Sequence, residues 1–201
     1  TAFLEKSPAL FQLVGSEGIL TLSELLLKAA RVSGLVATRI LALSPVVIEQ
    51  MEIDGLASLC TTAKLIAAND VDGAIKYLEK SPLTMQQIQE SGGKAVVALV
   101  FSLAADIALI SPAVATRFVE KSPGFLDLVG FQGLGMIVTF ISAAARKDPK
   151  KALGYLSGDT PAFTDFMDTI PKGLDLSAVK PILSIYLKAL LGRRVEITSA
   201  K

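Results

Sequence analysis

An all-α fold is predicted by three observations. A tetrapeptide recurs identically as Glu5-Lys6-Ser7-Pro8, Glu79-Lys80-Ser81-Pro82 and Glu120-Lys121-Ser122-Pro123, and Ser44–Pro45 and Thr160–Pro161 complete a series of prolines at 8, 45, 82, 123 and 161. The intervals are 37, 37, 41 and 38 residues, a period typical of stacked helical units. No stretch alternates apolar and polar residues between hairpin turns, so no sheet is expected. With 51% hydrophobic residues among 201, the chain has enough apolar surface for a substantial core.

Each part of the unit has a physical reading. A Ser or Thr before Pro is an N-cap followed by the first helical residue: the hydroxyl accepts from an orphan N–H, and proline has none to leave unpaired. The residue before a proline is also biased away from helix. Ser7, Pro8, Ser44, Pro45, Ser81, Pro82, Ser122, Pro123, Thr160 and Pro161 are therefore expected to mark five helix starts. On this basis Ser81→Ala should destabilise by roughly 0.5–2 kcal/mol through loss of a cap.

Ten residues after four of the prolines stand Gly18, Gly55, Gly92 and Gly133, expected to end a short helix before a longer one begins. Asn69-Asp70 and Lys147-Asp148-Pro149 turn the chain into the next unit. The unit is thus three helices in about 38 residues, the size class of armadillo and HEAT repeats. Five such units fall near 1–35, 36–70, 71–112, 113–149 and 150–192, forming an armadillo- or HEAT-like superhelix over 1–192, with the first unit truncated.

Composition removes several functions. Twenty basic residues against 19 acidic ones leave a net charge of +1, too small a field to hold a nucleic acid. The absence of histidine removes His-based triads and His-ligated zinc. The single cysteine, Cys60, can make no internal disulfide, and with no activating base it reads as a buried thiol. Asp70/Asp72 and Asp165/Asp168 lack the alternating oxygens of a calcium loop. Gly130–Gly135 has no preceding strand and no lysine placed for a phosphate loop. No catalytic residue, cofactor or metal is expected.

Mean hydropathy is +0.54, so membrane spans need testing. Ala95–Ile110 carries Asp106 and stops at Ser111–Pro112, and Leu134–Ala145 is shorter still. Both fall below the roughly 20 apolar residues of a span, and both are read as buried helices of a soluble, cytoplasmic protein. No signal peptide is visible, because Glu5, Lys6 and Pro8 break the first apolar run. Thr1 in place of Met points to an excised or processed product.

The long helices carry a polar stripe: Thr21, Glu24, Lys28 and Arg31, then Ser58, Thr61 and Lys64. It fades to Ala95, Ala98 and Ser102 and then to Met136, Thr139 and Ala143. These last two helices are either enclosed by neighbours or line an apolar strip that receives a partner. In the second case Ala98, Ser102, Met136 and Thr139, with the basic turn of Lys147, Lys150 and Lys151, form the candidate partner surface. A small apolar ligand held between the long helices is the alternative.

After Gly192, Val195 and Ile197 alternate with Arg194, Glu196 and Thr198, so 193–201 reads as an exit strand or linker to a further domain. The five Ser/Thr-Pro units followed by Tyr186–Ile197 resemble the helical region that precedes a von Willebrand factor A domain in adaptors of MoxR-type AAA+ ATPases. The nitric-oxide-reductase activation protein and the rubisco-activase adaptor belong to that group. The resemblance covers nearly the whole chain and does not extend to the metal-binding domain. It implies an adaptor role with an AAA+ ATPase as partner. The residue pattern by itself implies a non-enzymatic scaffold for protein–protein interaction.

Overall fold

The computed structural model describes the backbone of residues 2–157 and their side chains, those of residues 2–7, 9, 128, 129 and 132 excepted. Thr160–Pro161, Asp165/Asp168, the last helix and the 193–201 exit lie outside the described residues. Six helices follow in order: α1 (Ala2–Ala30), α2 (Gly34–Ala67), α3 (Val71–Gly92), α4 (Lys94–Ala108), α5 (Pro112–Lys147) and α6 (Pro149–Ser157). Among the described residues there is no strand, so this part of the chain is all-α.

The chain divides into two compact units, Thr1–Pro123 and Gly124–Lys201. In the first, α1 packs on α2, α2 packs on α3 and α4, and α3 packs on α4. Leu22, Ile40, Leu59, Leu78, Met85, Phe101 and Phe118 are fully buried there, each contributing about 1.5–3 kcal/mol by leaving water. In the second, Leu134, Ile137, Phe140 and Ile141 of α5 and Ala152 and Leu156 of α6 are buried. The rings of Phe140 and Tyr155 lie 5.3 Å apart at 56°, within the favourable tilted range for aromatic pairs.

The helix starts are not where the periodic prolines are. Ser33 Oγ accepts from Val36 N at 3.4 Å and caps α2. Asp70 Oδ1 accepts from Gly73 N at 2.8 Å and caps α3. Ser111 O accepts from Ala115 N, the first turn of α5, with Pro112 as its first residue. Asp148 Oδ1 accepts from Lys150 N at 3.0 Å and Lys151 N at 3.3 Å at the start of α6, again before a proline. The caps at 33, 70, 111 and 148 recur at 37, 41 and 37 residues.

Ser44–Pro45, Ser81–Pro82 and Ser122–Pro123 instead lie inside α2, α3 and α5, and Pro8 lies inside α1. Their expected capping role is corrected accordingly. Ser44, Ser81 and Ser122 are buried, and each Oγ donates to the carbonyl four residues back, on Ile40, Tyr77 and Phe118, at 2.7–2.8 Å. Each hydroxyl thus bonds to the helix next to the place where proline removes a backbone donor, an arrangement that bends helices rather than starting them. Local propensity yields here because Ile40, Leu41, Val47, Ile48 and Met51 on both sides of Pro45 are buried, and that packing outweighs the roughly 3 kcal/mol a mid-helix proline costs.

The true interruptions are single residues with positive φ: Gly15 (φ 67, ψ −170), Glu52 (φ 62, ψ −172), Gly93 (φ 80, ψ 176) and Gly130 (φ 67, ψ −175). They follow the prolines by seven, seven, eleven and seven residues. The extra four residues after Pro82 are about one helical turn, which is why the third proline interval is longer. Gly18 and Gly55 therefore do not end helices. They sit three residues past the break, where an added Cβ would overlap Val14 Cβ and Met51 Cβ respectively.

Candidate functional site

The expected partner surface divides between the two compact units, and each part is described within its own unit. On α4, Ala98 is half-buried and Ser102, one turn on, is exposed. On α5, Thr139 is exposed and its hydroxyl donates to Gly135 O at 2.8 Å. Met136 is the exception: at 4% exposure it belongs to the core of the second unit. It lies three residues from Thr139 but on the side occupied by Phe140 and Ile137, so it is removed from the surface set. Lys147, Lys150 and Lys151 are exposed around Asp148, whose carboxylate takes the backbone N–H groups of Lys150 and Lys151.

Within the first unit the structure brings together charges that were not singled out from sequence. Arg39 Nη2 donates to Glu79 Oε1 at 2.8 Å, and Lys80 Nζ donates to Glu120 Oε1 at 2.9 Å. Both pairs are 40 residues apart, so a cation before one Ser-Pro reaches the glutamate before the next. Arg117 Nη1 also donates to Glu120 Oε2, at 3.0 Å. The repeated Glu-Lys dipeptide was the available signal. Partial burial works to raise the Glu120 carboxyl, but hydrogen bonds from Lys80 and Arg117, and their charges, prevail and hold it below the usual glutamate range.

The Lys80–Glu120 pair borders a cleft of about 200 Å³ between α3 and α5, lined among others by Lys76, Tyr77, Thr84, Thr116 and Val119. The hydroxyls of Ser81, Thr84 and Thr116 already donate to carbonyls of their own helices. Tyr77 Oη is buried and has no hydrogen-bond partner. Burial first, with the nearby Cys60 sulfur adding to it, holds the phenol well above its ordinary range despite the neighbouring hydroxyls of Thr62 and Ser81. Burial likewise pushes the Cys60 thiol up to about 12, so at neutral pH it is a protonated, unreactive sulfur. Among the described residues no group of His, Cys, Asp or Glu is placed to hold a metal.

Two helices are long and apolar enough to cross a membrane by length and composition: α1 over Leu10–Ala30 and α2 over Gly34–Ala67. They are not the segments the sequence had brought forward. Mostly buried core helices of soluble proteins and N-terminal signal sequences pass the same test. Both contain a positive-φ break, at Gly15 and Glu52.

No family model, curated protein or solved structure matches this chain.

Proposed function

We propose that the chain is a non-enzymatic scaffold, an armadillo- or HEAT-like superhelix of about five repeats that mediates protein–protein interaction in the cytoplasm as the adaptor region of a larger protein. The observation that carries this reading is the recurrence of one backbone program. A polar cap at 33, 70 and 111 is followed eleven residues later by a buried serine before proline, and then by a positive-φ break at 52, 93 and 130. Repeats that bury their apolar faces only on neighbours leave long open surfaces, which is what such proteins use for binding.

The resemblance supplies the class of partner, a MoxR-type AAA+ ATPase. The test is titration of the purified chain with such an ATPase in the presence of ATP, read by calorimetry and size exclusion. Saturable binding, weakened by Ser102→Arg or by Thr139→Arg, is the expected result. No binding by a chain that circular dichroism shows to be folded would remove the ATPase from the proposal. The alternative is a small apolar ligand held between the long helices; the α3–α5 cleft, at about 200 Å³, is below the roughly 300–1,000 Å³ of typical ligand pockets and is not that site.

A further inference from the structure

The helices that follow the breaks can be compared position by position. Four, eight, eleven and fifteen residues after Glu52, α2 places Leu56, Cys60, Ala63 and Ala67, all buried. At the same offsets from Gly93, α4 places Val97, Phe101, Ala104 and Ala108, again all buried. At the same offsets from Gly15, α1 places Ile19, Ser23, Leu26 and Ala30; the first three are half-buried and Ala30 is exposed. The other face of α1 does not differ in this way: Gly18, Leu22 and Ala29 are buried like Gly55, Leu59 and Ile66.

The difference isolates one face. α2 packs on α1 and α4 packs on α2, so α2 and α4 each have a preceding helix as a neighbour, whereas among the described residues no helix precedes α1. The uncovered face is also apolar at its edge, with Leu20 68% and Leu27 57% exposed. A terminal repeat that ends a stack carries a polar outer face, and this one does not. Beside the leucines Glu17 and Glu24 are balanced by Lys28, which pairs with Glu24 at 3.8 Å, and by Arg31, so the face has no net positive charge to draw an anionic lipid surface as the cover.

We propose that the outer face of α1 is the seat of a further helical repeat, stacked on α1 as α1 is stacked on α2. It buries Ile19, Ser23, Leu26 and Ala30, with Leu20 and Leu27 at the margin. The partner is identified by continuity: α1 offers the register that α2 and α4 use for contacts of this kind. This rests on the repeat architecture proposed above and not on the ATPase, so the two tests fail separately.

The test adds the missing neighbour. Residues 34–74, with Cys60→Ser in the added copy, are duplicated ahead of Thr1, which keeps the spacing to Pro8 that Val71–Ala74 has to Pro82. Ser23→Cys is introduced in both the original and the lengthened chain, and maleimide labelling is followed; native Cys60 is buried. The lengthened chain is expected to label about tenfold more slowly or better, as a site protected by stable packing does, and Leu20→Glu in that chain should restore fast labelling. Equal rates in the two chains would overturn the proposal. So would an added segment whose amides exchange as an unfolded chain does, since a true seat would order it. Labelling of the original chain that slows as its own concentration rises would show a second copy on this face and overturn the assignment to a repeat. Slowing by vesicles of neutral lipid alone would overturn it in favour of a membrane.

Discussion

The breaks at Glu52 and Gly93 solve one steric problem with opposite residues. Before the first stands Met51, and three residues after it stands Gly55, which has no Cβ to collide with Met51. At the second the order is reversed: Gly92 precedes the break, Val96 follows it by three, and an added Cβ on Gly92 would lie 2.9 Å from Val96 Cβ. What recurs is a contact between one bulky and one absent side chain, and not the residue at either position. The break itself also differs. Gly93 tolerates φ 80, ψ 176, whereas Glu52 holds φ 62, ψ −172, a region open almost solely to glycine.

Swapping residues within the first pair breaks the comparison most strongly. Gly55→Val should destabilise by about 3 kcal/mol through overpacking against Met51. Adding Met51→Gly should recover more than half of that loss, because the double variant has the order found at Gly92 and Val96. Urea unfolding of the two single variants and the double gives the coupling energy; simple additivity would refute the contact.

The strain comparison comes next. Glu52→Gly should stabilise the fold by about 1–2 kcal/mol, and Gly93→Ala should destabilise it by a similar amount. Thermal melts of the two variants should therefore move in opposite directions.

The charged pairs carry less. Glu120 has a lowered folded-state pKa, so its contribution is present above the unfolded glutamate value of about 4.3 and is lost as pH falls through the lower folded value. Glu120→Gln should reduce stability at pH 7 by under about 1 kcal/mol. It should also flatten the part of the acid-unfolding curve that lies below pH 4.5; a variant curve parallel to wild type would deny the pair that role. Smallest is Ser81→Ala. The cap reading gave it up to about 2 kcal/mol, but a hydroxyl that back-bonds to Tyr77 O within a helix should be worth under about 0.5 kcal/mol.

Much of the local grammar was legible in the chain. The Ser-Pro series marked the period, and Asp70 and Asp148 marked turns, because short polar side chains satisfy orphan N–H groups wherever they precede an apolar helix. Ser111–Pro112 obeys the same rule, yet the more frequent dipeptides at 44, 81 and 122 drew the helix starts away from it. They look alike in sequence and all four serines are buried; the packing of the apolar residues on both sides decides which dipeptide lies inside a helix. Ser122 is fully buried within α5, while Ser111 accepts the first bond of that helix. Within the candidate surface only exposure can be compared: Ser102 and Thr139 face outward, whereas Met136 turns inward.

Helicity, the spacing of the units and the lack of histidine chemistry follow from residue order, because backbone bonds in a helix close within four residues and composition needs no geometry. Where a helix bends and where it breaks, which serine lies inside a helix, and which glutamate takes a lysine 40 residues earlier were decided by tertiary packing. Those outcomes turn on differences of a few kcal/mol between local preference and burial against neighbours distant in the chain, and no local window contains both sides of that balance.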